Sequence, residues 1–142
     1  IPARDLAGLL PASWDVKETG HFMHCRRPLA VPDFPDGFVV RTEQGDNSGR
    51  IDIATTDGVL AARGFWGRDA GALVYDRIAV EAAYRRRGLG RALMGLIGRN
   101  GHRDALPQLL VATEEGRQLY LSLGWEVVAP YATALRREAA AA

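Results

Sequence analysis

The chain has 142 residues, 47% of them hydrophobic and 25% charged, and a formal net charge of +1. That is the size and balance of a single globular domain able to bury its own core. The near-neutral total gives no global footprint for nucleic acid, and no apolar run approaches a membrane span.

The first third carries the weakest patterns. Asp5 to Leu10 suits a short helix that Pro11 stops. Trp14, Phe22 and Met23 precede a stretch holding Pro28, Pro32 and Pro35, which suits neither a regular helix nor a central strand. Residues 1–36 are therefore read as an arm laid over a core of residues 37–137. His21, His24 and Cys25 crowd together, but no second cluster completes a set of four zinc ligands, so no metal is expected. Cys25 is the only cysteine, which fits a reducing, cytoplasmic setting.

Strand patterns follow. Phe38 to Thr42 is β-prone, and Gly45 to Gly49 has turn chemistry. Arg50 to Thr55 alternates apolar and polar residues. Asp57-Gly58 is a strong hairpin signal, with Val59 to Trp66 as the return strand. Ala72 to Val80 is a longer strand after another turn. The period then changes: Leu89, Leu93, Leu96 and Ile97 sit at helical spacing from Gly88 to about Arg99. Leu109 to Ala112 reads as a short buried strand. Thr113 reads as the N-cap of a helix that opens with Glu114 and Glu115 and ends at Gly124. Trp125 to Val128 and Ala132 to Arg136 read as two closing strands, and Ala139 to Ala142 as a frayed end. The expected fold is a mixed α/β domain.

Chemistry concentrates in Tyr84-Arg85-Arg86-Arg87-Gly88-Leu89-Gly90-Arg91-Ala92, between a strand and a helix. A helix start exposes unpaired N–H groups, and glycines let the backbone close on a ligand. Consecutive N–H groups make a concave anion nest, and arginine forks add charge. The segment reads as a diphosphate site. It lacks the third small residue of a dinucleotide fingerprint, since Leu93 stands there, and the Gly-Lys-Ser/Thr of a Walker loop.

What does match is Arg/Gln-x-x-Gly-x-Gly/Ala, as Arg85, Gly88 and Gly90. With Ile78-Ala79-Val80 before it, Leu93 and Met94 after it, the strand at Leu109 to Ala112, and Tyr120-Leu121-Ser122-Leu123-Gly124-Trp125, the chain from about Asp57 to Arg137 resembles GNAT acetyltransferases. The resemblance implies a twisted mixed sheet with helices on both faces. It implies acetyl-CoA as donor, its pantetheine along Ile78, Ala79 and Val80, its pyrophosphate on Arg85, Arg86, Arg87, Gly88, Leu89, Gly90 and Arg91. A backbone N–H near Val80 would polarise the thioester, an amine would attack directly, and Tyr120 would protonate the leaving thiolate. Asp76 or Glu81 would accept the amine proton through water. Partners would be acetyl-CoA and a small-molecule or peptide amine, not nucleic acid or membrane, and family members often form homodimers.

One departure stands out. The family's two acceptor-side helices between its first strands have no room between Thr42 and Arg50. Either residues 1–35 cover that region, or it is open, or a second subunit builds it. Two rival readings follow: a CoA-binding regulatory module without turnover, and nucleic-acid binding through the arginine patch. Tyr120 also fits a core tyrosine, because Leu119 and Leu123 share its helix face.

Overall fold

The computed structural model describes residues 1–27, 30, 33–102 and 106–139. The segment holding Pro28 and Pro32 and the last three alanines lie outside the described residues. In chain order the elements are α1 (Ala3–Leu9), β1 (Trp14–Cys25), β2 (Phe38–Gln44), β3 (Ser48–Thr55), β4 (Leu60–Arg68), β5 (Leu73–Val80), a 3-10 turn (Ala82–Tyr84), α2 (Leu89–Gly101), β6 (Gln108–Ala112), α3 (Glu114–Ser122) and β7 (Glu126–Arg136). One seven-stranded sheet runs β2-β3-β4-β5-β6-β1-β7.

Strands β2 to β5 form the expected antiparallel meander. The β3–β4 hairpin closes at Asp57-Gly58, where Gly58 takes φ 91° and its N–H donates to the Thr55 carbonyl oxygen at 2.9 Å. The Asp69 carboxylate accepts from Gly71 N (2.6 Å) and Ala72 N (3.0 Å), tying the turn before β5. These two N–H bonds hold its pKa below the usual carboxylate range.

Two expectations are corrected. Residues 14–25 are not an arm over the core. They form an internal strand, antiparallel to β6 on one side and to β7 on the other. Met23 and Cys25 are buried against Leu110 and Gln108, its neighbours across the pair. The stretch that holds Pro28, Pro32 and Pro35 begins only after this strand ends. Nor do two strands close the chain. A single β7 runs through Pro130, and β1 fills the place between β6 and β7. β7 is the sheet edge, where a residue without an N–H is tolerated.

Helices α2 and α3 lie side by side on one face. The parallel steps β5–α2–β6 and β6–α3–β7 move across the sheet in the same direction, and right-handed crossovers put both helices on the same side. Leu93, Met94 and Ile97 of α2 pack with Ile51, Ile53 and Leu73 of the sheet, all essentially without exposure. Gly64 permits the close approach, since a Cβ there would stand 2.7 Å from Ile97 Cδ1. Short α1 packs across β1 and β7 and buries no residue of its own. The opposite face over β5 and β6 carries no long helix among the described residues, and Val74 and Val111 remain 43% and 47% exposed there.

Candidate active site

β5 and β6 pair in parallel at only two positions, Leu73 with Gln108 and Val74 with Leu109. Beyond them the strands separate. The cause lies in β5, which bulges so that Arg77 and Ile78 together oppose the single residue Gly64 of β4. Arg77 takes φ 48°, a left-handed conformation unusual for a residue with a Cβ. A bulge bends its strand and strengthens the local twist, which carries Ala79 and Val80 away from β6.

The split is a slot of about 440 Å³. Its walls are Ile78, Ala79 and Val80 on one side and Leu110 and Val111 on the other. Arg85 and Gly90 stand at one end, and Leu119 and Tyr120 of α3 line it as well.

The helix start at that end exposes unpaired backbone N–H groups. Arg86 has φ 62° and Gly88 has φ 78°, so the backbone turns twice through the left-handed region before α2 begins. The first intrahelical bond is Ala92 N to the Gly88 carbonyl oxygen at 3.0 Å. The N–H groups of Leu89, Gly90 and Arg91 are therefore left without helical partners, as at any helix start. Arg85 reaches back over the slot. Its Nε donates to the Val80 carbonyl oxygen at 3.3 Å, and its Nη1 lies 3.4 Å from Glu115 Oε1.

The other predicted residues of this loop point elsewhere. Leu89 is buried in the core, Arg87 lies over the Tyr84 ring at 5.5 Å, and Arg91 donates to Ser122 Oγ at 3.5 Å. None of Arg86, Arg87, Gly88, Leu89 or Arg91 lines the slot itself.

Tyr120 is 7% exposed, and its ring lies 6.3 Å from that of Trp125. Burial pushes its phenol up to about 12. Tyr75 forms the floor, edge-on to Trp125 at 5.1 Å, and its hydroxyl donates to Gln108 Oε1. Burial also raises the Tyr75 phenol above its ordinary range. Tyr75 is thus committed to the core, whereas no hydrogen bond contributes to the Tyr120 shift.

Asp76 and Glu81 do not line the slot. Asp76 is exposed on the opposite face and pairs with Arg77 Nε at 3.1 Å. Glu81 is exposed beyond the end of β5. His21, His24 and Cys25 are separately engaged. His21 Nε2 lies 2.5 Å from Glu114 Oε2, His24 Nε2 lies 3.2 Å from Glu126 Oε2, and the Cys25 thiol donates to the Arg27 carbonyl oxygen. The His21 contact holds Glu114 below the usual carboxylate range. Among the described residues no three His, Cys, Asp or Glu side chains group as metal ligands, and no helix is long and apolar enough to cross a membrane.

Sequence reasoning passed over Tyr75, Arg77, Val111, Thr113, Glu115, Gly116 and Leu119 as slot residues. Glu115 was legible only as a helix-start acid, and nothing local marks Arg77 for a bulge.

The fold has counterparts among solved structures. A GCN5-related N-acetyltransferase from Kribbella flavida matches with TM-score 0.68 at 19% identity, covering 94% of this chain and 63% of its own. One from Sphaerobacter thermophilus matches with TM-score 0.63 at 16% identity, covering 94% and 64%. A tandem GNAT protein from the clavulanic acid biosynthesis pathway matches with TM-score 0.68 at 13% identity, covering 87% and 55%. The chain thus spans less than two thirds of each of these proteins, and identities this low speak for the fold alone. No curated protein matches. Residues 36–127 match the family described as "Acetyltransferase (GNAT) domain", a stretch from the start of β2 into β7 that contains the bulge, the split and the α2 start. With that match over nearly two thirds of its length, the chain belongs to the GNAT acetyltransferase family.

Proposed function

We propose that the protein is an acetyl-CoA-dependent N-acetyltransferase that passes the acetyl group to a primary amine by direct attack within a ternary complex. The observation that carries this reading is the parting of β5 and β6 immediately beside the unpaired start of α2. An open strand edge suits a ligand that hydrogen-bonds like an added strand, as the two amides of pantetheine do. A nest at a helix start suits the diphosphate that follows them. Few other ligands carry both groups in line.

The chain's own residues then have separate tasks. The backbone of Ile78 to Val80 holds the pantetheine arm, and an N–H near Val80 faces the thioester oxygen as charge grows on it. The N–H groups of Gly88 to Arg91, with Arg85, hold the diphosphate; Arg86, Arg87 and Arg91 add a positive field at the mouth. In the transfer a C–N bond forms, the C–S bond breaks, and Tyr120 gives its proton to the sulfur. A phenol raised to about 12 stays protonated at neutral pH and is available as a donor. Burial in the same slot disfavours a bare thiolate, which helps draw the proton across. The amine's proton leaves through water, with Asp76 and Glu81 as candidate acceptors on the solvent side.

The lack of a long helix over β5 and β6 among the described residues favours one rival, a CoA-binding regulatory module without turnover. A thiol-release assay with acetyl-CoA and a panel of primary amines separates the two. Amine-dependent release of CoA supports the transferase. Tight binding of acetyl-CoA without release for any amine supports the module.

A further inference from the structure

We infer that the acceptor is an amine bearing a carboxylate, and that Arg77 binds that carboxylate. The inference rests on the transferase reading and names the substrate class of the same site.

Two cross-strand rows lead over the uncovered face to the slot. One runs Glu43, Arg50, Phe65, Asp76, and the other runs Arg41, Asp52, Arg63, Ala79. Directly paired residues share a face of the sheet, and Ala79 also lines the slot. Arg77 lies on β5 between the ends of the two rows. It borders the slot and also the depression on the uncovered face that Phe65, Val74 and Asp76 line. An acceptor crossing this face toward a thioester in the slot therefore passes Arg77.

The side chain is arranged to receive an anion. The guanidinium carbon stands 4.0 Å from the centre of the Phe65 ring, which fixes the plane of the fork. Only Nε is used, in the single contact with Asp76 at 3.1 Å. Among the described residues its two terminal nitrogens have no carboxylate partner. A fork held in plane with free ends matches a carboxylate in two-point contact.

The surrounding charge agrees. Across the two rows and Arg77 there are four arginines (Arg41, Arg50, Arg63, Arg77) against three acids (Glu43, Asp52, Asp76). Asp52 is consumed internally, with Arg63 donating to both its oxygens at 2.7 and 2.8 Å and Arg50 at 3.5 Å. Asp76 is left beside Arg77, placed to attract the ammonium of the same acceptor. Arg50 is likewise paired with Glu43 at 2.9 Å, so the outer nitrogens of Arg77, together with Arg41, are the guanidinium groups of these rows without a carboxylate contact among the described residues.

The test compares free amino acids with their carboxamides, which keep the amine and lose the carboxylate. Each is titrated by calorimetry into protein saturated with CoA, and turnover with acetyl-CoA is measured beside it. The expected result is at least one amino acid preferred over its amide by about 10- to 100-fold in both readouts, the range of one charge-assisted two-point contact. Arg77→Gly keeps the left-handed backbone at φ 48° and removes only the fork. It should bring the acid-to-amide ratio close to one, and Arg77→Lys should restore part of it. Equal binding of acids and amides, no binding of either, preference for diamines, or an unchanged ratio in Arg77→Gly would overturn the inference. Acetyl-CoA titrated alone tells the two failures apart. If the donor binds and the ratio is flat, only the acceptor assignment falls. If the donor does not bind, the transferase reading falls and takes this assignment with it.

Discussion

Gly90 at the start of α2 abuts Leu119 of α3 so closely that a Cβ on Gly90 would stand 2.9 Å from Leu119 Cδ2. The same Cβ would lie 3.8 Å from Val80 Cγ2. This glycine therefore sets the spacing between the start of α2, the end of β5 and the helix that carries Tyr120. In Gly90→Val the branched side chain displaces Leu119 into the slot. Stability should fall by about 1–3 kcal/mol, as for other overpacked sites, and acetyl-CoA affinity by at least about tenfold. Leu119→Ala in the same chain should recover part of both, because neighbours in contact are not additive. Urea midpoints and calorimetry on the four proteins check this; strict additivity would remove the contact from the account.

Gly88 differs in kind. A Cβ there meets nothing within 4 Å, so the whole penalty is its φ of 78°. Gly88→Ala should cost about 1–2 kcal/mol and weaken acetyl-CoA binding as the nest relaxes. Gly88→Asn, which tolerates the left-handed region, should retain more of both. Equal losses in the two variants would show that backbone handedness is not what the loop requires.

Tyr120→Phe removes a hydroxyl whose environment perturbs it only through burial. Folding stability and acetyl-CoA affinity should stay nearly unchanged. Turnover should fall by about 10²–10⁴-fold, the usual contribution of a proton donor. Wild-type activity should show no loss from Tyr120 between pH 7 and 10, since its proton leaves only near 12. Undiminished turnover in Tyr120→Phe would take the residue out of the chemistry.

The same shift bears on alkaline stability. A phenol whose folded pKa lies above its unfolded value of 10.0 stabilises the fold fully below pH 10. That contribution is lost as pH rises from there toward 12. At the acid end, the Arg63 hydrogen bonds hold Asp52 below the usual carboxylate range, despite an opposing effect of burial. Its contribution is present above pH 3.8 and fades as pH falls through the lowered value. Asp52→Asn should cost about 1–3 kcal/mol at pH 7 and should lose less than the wild type on going to pH 3. Parallel pH dependence in the two proteins, followed by urea midpoints, would contradict the ion-pair account.

What the sequence disclosed follows the range of the forces involved. The β3–β4 hairpin was legible because Asp57-Gly58 fixes its own turn, with Gly58 at φ 91°. Helix α2 was legible because Leu89, Leu93 and Ile97 fall on one face and are buried there. The N-cap of α3 was legible because Thr113 Oγ1 accepts from Gly116 N at 3.1 Å, a bond between near neighbours. β1 was not. Its partners lie more than eighty residues away, its register slips at Thr19 and again opposite Val128, and the slips erase a clean alternation of burial. The gap read between Val128 and Ala132 contains Pro130, which an edge strand accommodates without a break. The bulge at Arg77 leaves no local trace, because an arginine is no natural choice for φ 48°. Among the candidate site residues, Ile78 to Val80, Arg85, Gly90 and Tyr120 line the slot, whereas Arg86, Arg87, Gly88, Leu89, Arg91, Asp76 and Glu81 do not. Strand order and motif spacing locate backbone groups well, but which way a carboxylate leaves a bulged strand depends on the bulge.

The most direct test of the central claim is calorimetric titration of acetyl-CoA into the protein, with ATP as the control that has phosphates but no pantetheine arm. The account predicts one site per chain of about micromolar affinity, with ATP weaker by at least about a hundredfold because it leaves the β5–β6 split empty. Absence of binding, or equal binding of ATP, would contradict it and leave the split strands and the arginine loop without the ligand assigned to them.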